Sequence, residues 1–86
     1  MNIAENRAIA QKFRDVSLLL EGQGANRFRI QAYRTAAERL ERLEIPVSQI
    51  IEQQGADGLL ALPGIGVSLA RSIHTLVLSG RLPMLD

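Results

Sequence analysis

Cysteine is absent from this 86-residue chain and histidine occurs once, at His74. Neither a disulfide framework nor a thiolate or histidine-cluster zinc site is therefore available. Aromatic side chains are scarce too, with only Phe13, Phe28 and Tyr33 and no tryptophan. A core drawn instead from Leu, Ile, Val and Ala favours packed helices over a sheet. No apolar run reaches the roughly 20 residues that cross a bilayer. The start, Met1-Asn2-Ile3-Ala4-Glu5, lacks the basic-then-apolar order of a secretion signal. These absences predict an intracellular, cytoplasmic protein with no membrane partner. Lysine is nearly missing as well: nine of the ten basic residues are arginine, so Lys12 is the only side-chain amine available as a nucleophile.

A chain of this length has room for one domain, 1–86, and a domain so small buries only about 60 to 65% of its unfolded surface. There is no internal repeat, low-complexity tract or linker, and the abrupt end at Asp86 leaves open a fragment of a longer protein. The net charge of +1 predicts no strong general pull on nucleic acid. Its distribution is uneven, however, with Arg27, Arg29, Arg34, Arg39 and Arg42 in one short stretch.

Ile9, Phe13, Val16 and Leu20 recur at the helical period, predicting a first helix from Ile3 to about Glu21. Asn2 and Glu5 have capping-box spacing at its start, and Gly22 and Gly24 supply its stop. Asn26 can cap a second helix with Ile30, Tyr33, Ala37 and Leu40 inward, ended by Pro46. A short third helix follows with Val47, Ile50 and Ile51 as its apolar face, closed by Gly55, and reads as a spacer or packing element. Asp57 to Leu62 makes one or two apolar turns. A last helix runs from Val67 to Ser79 with Val67, Ala70, Ile73 and Val77 inward, ended by Gly80 and Pro83.

The chemistry concentrates at Leu62-Pro63-Gly64-Ile65-Gly66, between the last two helical segments. Proline fixes one φ, and each glycine permits backbone that a side chain resists. Without a Cβ at Gly64 or Gly66, a phosphodiester oxygen can approach the peptide N–H groups from Gly64 through Val67 and Ser68. The following helix adds its unpaired donors and positive dipole end. Ile65 is expected to turn inward and hold the two helices together. Contacts of this kind position a protein on DNA and carry no base information. An ordinary helix-helix turn remains the alternative for these five residues.

Leu62-Pro63-Gly64-Ile65-Gly66 followed by Ala70 and Ile73 resembles the signature of helix-hairpin-helix DNA-binding proteins. Asn26-Arg27-Phe28-Arg29-Ile30-Gln31-Ala32-Tyr33-Arg34-Thr35-Ala36-Ala37, the hairpin, and then Ser79-Gly80-Arg81-Leu82-Pro83 are similar to the N-terminal domain of family X DNA polymerases, the polymerase beta type. The likeness spans nearly the whole chain. It implies an all-α fold, a compact SAM-like bundle of four to five short helices with one hairpin motif over about 56–79. It implies binding to gapped, nicked or duplex DNA in repair or replication. It also implies a sodium or potassium ion on the carbonyls of Leu60, Leu62 and Ile65, with no organic cofactor.

Relatives of that family remove a 5'-deoxyribose phosphate through a lysine Schiff base. Ser72 stands at the matching position and Ser68 at that of a phosphate-binding lysine one turn earlier. A hydroxyl cannot form an imine, so no lyase activity is expected and the chain is read as no enzyme. An Asp-x-Asp metal motif is also absent, so polymerase chemistry would need a catalytic domain outside this chain.

Arg29, Tyr33 and Arg34, with Arg27 nearby, match positions where the family gathers basic residues and a tyrosine around a 5'-phosphate. The arginine fork suits phosphate. Arg39 and Arg42, interleaved with Glu38 and Glu41, read instead as a solvated face, with Glu38 and Arg42 at favourable spacing. Arg71 is the firm charge near the loop, beside Ser68, Ser72 and Thr75, while His74 reads as a packed or half-exposed histidine. The competing reading is a protein-docking module, presenting Leu76, Leu78, Leu82 and Leu85 as an apolar face.

Overall fold

The computed structural model describes residues 4–80. Five helices occur in chain order: α1 (Ala4–Gly22), α2 (Arg27–Arg42), α3 (Val47–Gln54), α4 (Ala56–Leu60) and α5 (Val67–Ser79). There is no strand among the described residues. The fold is all-α, as the aliphatic composition predicts.

α1 and α2 pack side by side. Their link is short because Gly24, at φ 70°, takes the left-handed conformation. The Ala25 N–H then reaches back to the Leu20 carbonyl at 2.9 Å and the Gly24 N–H to Glu21 at 3.1 Å. Those two bonds close the end of α1 and turn the chain. Asn26 starts α2 by accepting the Phe28 N–H at 2.7 Å. Arg14 pairs with Glu41 and Arg34 with Glu21, one register running antiparallel across the two helices. Both pairs are exposed, so each adds at most about 1 kcal/mol. Between them Phe13 and Tyr33 meet edge to face with ring centres 5.2 Å apart.

α3, α4 and α5 form the second group. Their connection to the first is made in part by polar side chains of α1. Buried Asn6 donates from Nδ2 to the Ile45 carbonyl at 2.8 Å and accepts the Val47 N–H on Oδ1 at 2.9 Å. Glu5 accepts the Ser48 N–H at 2.7 Å. Two amides at the start of α3, which Pro46 cannot cap, are thus satisfied from 43 and 41 residues away in sequence. Asn2, the expected capping partner of Glu5, lies outside the described residues, as do Ile3, Arg81, Leu82, Pro83 and Leu85. Of the two roles expected for α3, spacer or packing element, the structure bears out packing, since α1 is hydrogen-bonded to its first residues and Val47 and Ile50 are buried.

The core runs through both groups, from Phe13, Val16, Leu20 and Leu40 to Val47, Leu59, Ile65, Leu69, Ile73 and Leu76. Two expectations on α5 are corrected here. Val67 is 63% exposed, because the first turn of α5 projects past the core. Leu69 and Leu76 fill the inner positions beside Ala70 and Ile73, so Leu76 is unavailable to a docking face. Leu78 remains 72% exposed. No helix of the described residues is long and apolar enough to cross a membrane.

Candidate nucleic-acid interface

The segment between α4 and α5 is a tight turn. Ile65 N–H donates to the Leu62 carbonyl at 3.1 Å, with Pro63 and Gly64 at the two central positions. Gly64 has φ 82°. That geometry is a type II turn, in which proline presets the first position and only a residue comfortable at positive φ suits the second. Ile65 points inward and is 5% exposed, as expected of the residue that ties the two helices together.

The two glycines turn out to serve different ends. A Cβ on Gly64 would stand 3.2 Å from Thr35 Cγ2 and 3.7 Å from Arg39 Cγ, so this glycine seats the turn against α2. Gly66 has φ −90° and ψ −176°, an extended conformation open to any residue, and its Cβ position has nothing within 4 Å. The expectation that both glycines adopt backbone that a side chain resists is therefore corrected at Gly66. Gly64 meets the conformational and packing demand, and Gly66 leaves open space.

That space lies where donors are unpaired. The first intrahelical bond of α5 runs from the Ala70 N–H to the Gly66 carbonyl at 2.9 Å, and the N-cap makes no side-chain hydrogen bond. The N–H groups of Val67 and Ser68 precede that bond, on residues that are exposed together with Gly66. The other long helices with described starts differ: α2 is capped by Asn26, and α3 by Asn6 and Glu5. An uncapped, exposed helix start concentrates donors and positive dipole at one spot. It can accept an anionic oxygen without any side chain reading what carries it.

Arg71 is exposed one turn into α5 and shares a cleft of about 260 Å³ with Asp57, Leu60, Val67 and His74. Ser72 donates its hydroxyl to the Ser68 carbonyl at 3.2 Å, within the same helix. Lys12 is distant from this end: it lies beside Leu76 and Gly80, where α5 finishes. The Leu62 carbonyl already accepts from Ile65, whereas Leu60 and Ile65 accept no backbone bond around the turn. An all-oxygen set of this kind fits a hard cation. It would be completed by groups other than clustered acidic or histidine side chains, since none occurs among the described residues.

The arginine-rich start of α2 does not form one patch. Tyr33 is 5% exposed, its ring against Phe13, so most of it is withdrawn from solvent. Arg34 is engaged by Glu21, and Arg27 and Arg34 line a cleft with Gly24, Ile30 and Gln31. Arg29 is exposed but outside that cleft. The expected Glu38 with Arg42 pair is not made among the described residues; Glu41 reaches across to Arg14 instead. Arg39, read from the sequence as part of a solvated face, is exposed, and its stem lies beside Gly64. Its position four residues after Thr35 is the only sequence signal, and that is legible only once Gly64 is known to rest there.

A type II turn between two helices, an inward isoleucine and an uncapped second helix define a helix-hairpin-helix protein. Residues 4–82 match the helix-hairpin-helix domain family, and the chain belongs to that family. Such domains generally bind DNA without sequence preference. The match does not single out the polymerase N-terminal domain. Comparison with curated proteins finds no similar sequence.

Proposed function

We propose that this chain holds DNA by its phosphate backbone, in repair or replication, as the hairpin module of a polymerase-like protein whose catalysis lies in another domain. The observation that carries the reading is the start of α5: exposed amides at Val67 and Ser68, left uncapped beside the open face of Gly66. Backbone donors fix the position of a duplex and ignore its sequence. Arg71 adds a charge one turn along, and a sodium or potassium ion on Leu60, Leu62 and Ile65 would stiffen the turn and supply positive charge. Arg29 and Arg34 are secondary contacts in this reading, with Arg34 having to leave Glu21 to serve.

The domain acts as a grip and not as a lyase. Ser72 offers a hydroxyl already committed to its own helix, and the single lysine sits beside Leu76 and Gly80, toward the end of α5 that is remote from the hairpin. Its place of work is inside the cell, where DNA is. Binding to gapped, nicked, duplex and single-stranded DNA across a salt series tests the reading. Phosphate-driven affinity falls linearly on a log-log plot, and no binding at low salt refutes it. Borohydride added with a 5'-deoxyribose-phosphate substrate should trap no adduct, and one that survives blocking of the N-terminal amine overturns the second half. Exposed Leu78 favours docking as the second reading, which a salt-insensitive partner would reveal.

A further inference from the structure

The hairpin has a second wall. Gly64 rests on α2, so that Thr35 and the stem of Arg39 border the turn, while the α4–α5 cleft that holds Arg71 is lined by neither. Arg39 is exposed and makes no ion pair or hydrogen bond among the described residues. In contrast, Arg14 and Arg34 on the same α1–α2 layer are held by glutamates. α5 itself carries a single cation, Arg71, and two serines where it faces solvent in its first turns. The charge the turn lacks on its own helices is thus available from α2.

We infer that Arg39 is a phosphate-binding arm of the hairpin, reaching from α2 to the phosphate next to the one that the start of α5 receives. This rests on the DNA-binding reading above. The stem, lying beside Gly64 at Cγ, leaves the rest of the exposed side chain able to carry its guanidinium to the solvent side of the turn. A planar fork then takes two oxygens of one phosphate. With Arg71 on α5, arginines from two helices then serve one main-chain site, and the strand is held along its length instead of at a point.

The test is a salt titration of a fluorescent duplex with the wild-type chain and the variants Arg39→Gln, Arg39→Lys, Arg71→Gln and Lys12→Gln. Removing one charged partner of a phosphate should reduce the log-log slope by about 0.9. Arg39→Gln should show that reduction and bind about tenfold more weakly at low salt. Arg39→Lys should keep the slope, and Lys12→Gln, at the far end of α5, should match the wild type. The double Arg39→Gln, Arg71→Gln variant should have a slope smaller by about 1.8. A wild-type slope in Arg39→Gln, with Arg71→Gln reduced, overturns the inference and leaves the hairpin reading intact. Absence of binding by the wild type overturns both. Helical content by circular dichroism accompanies each variant, and because Arg39 is exposed, the lysine variant retains the charge should the glutamine variant lose structure.

Discussion

Replacing each hairpin glycine by alanine should separate stability from binding. At Gly64 the backbone sits at φ 82°, where an L side chain costs about 1–2 kcal/mol. The new methyl would also stand 3.2 Å from Thr35 Cγ2, a β-branched, half-buried neighbour with little freedom to retreat. Both effects act in the same direction. For a domain this small each kcal/mol lowers Tm by about 4–8 °C, so Gly64→Ala should melt roughly 5–15 °C earlier. At Gly66 the terms oppose: alanine restricts the unfolded chain, worth about 0.4–1 kcal/mol, and is a poorer N-cap by a similar amount. Gly66→Ala should therefore melt close to the wild type. Its methyl would occupy the open space beside the Val67 and Ser68 amides, and loss of one charge-assisted hydrogen bond should weaken DNA binding about tenfold. Thermal melts by circular dichroism and fluorescence anisotropy on a labelled duplex read the two quantities. Equal melting losses in both variants, or unchanged binding by Gly66→Ala, would refute the division of roles.

Asn6→Ala should destabilise the domain by about 2–4 kcal/mol in chemical denaturation, since it strands the Ile45 carbonyl and the Val47 N–H in the interior. A loss under about 1 kcal/mol would show that water replaces the amide. Glu21→Gln should change stability by less than about 1 kcal/mol while tightening DNA binding if Arg34 takes part, and unchanged binding removes Arg34 from the interface. Arg71→Ala should weaken binding evenly across sequences and reduce the salt slope by about 0.9. Phe13→Ala, emptying a fully buried site against Tyr33, should cost about 3–5 kcal/mol in the same denaturation assay.

The helices themselves are readable because their signals are local. Asn26, Gly24, Gly55 and Gly80 sit at the ends where caps and stops belong, and Val67 to Ser79 is bounded as the sequence predicts. Periodicity is less decisive about which side faces in. The stripes through 67, 70, 73, 77 and through 69, 70, 73, 76 share a spacing, and the choice between them depends on α4 and the core, which displace Val67 outward. Asn6 gives no local sign, because its partners are backbone atoms of another helix. The arginines mislead for the same reason. Pairs four apart on one helix can be seen in sequence, whereas Arg14 with Glu41 and Arg34 with Glu21 form across a helix interface. Arg39, assigned to solvent by its acidic neighbours, is exposed as expected, and only the fold shows that its stem lies beside a glycine 25 positions later.

The bare start of α5 is a choice between durability and use. Gly66 already has the extended backbone of an N-cap residue, so a serine there would fit and would bond the amides beyond it. The gain forgone is only a few tenths of a kcal/mol. Selection for folding alone would push weakly toward that serine, and selection for contact with an anion would resist it strongly. If the grip belongs to the main chain as proposed, changes at the flanking side chains alter its strength without erasing it. On the proposed reading, what such a grip requires is the shape of one turn, and not the identity of the side chains around it.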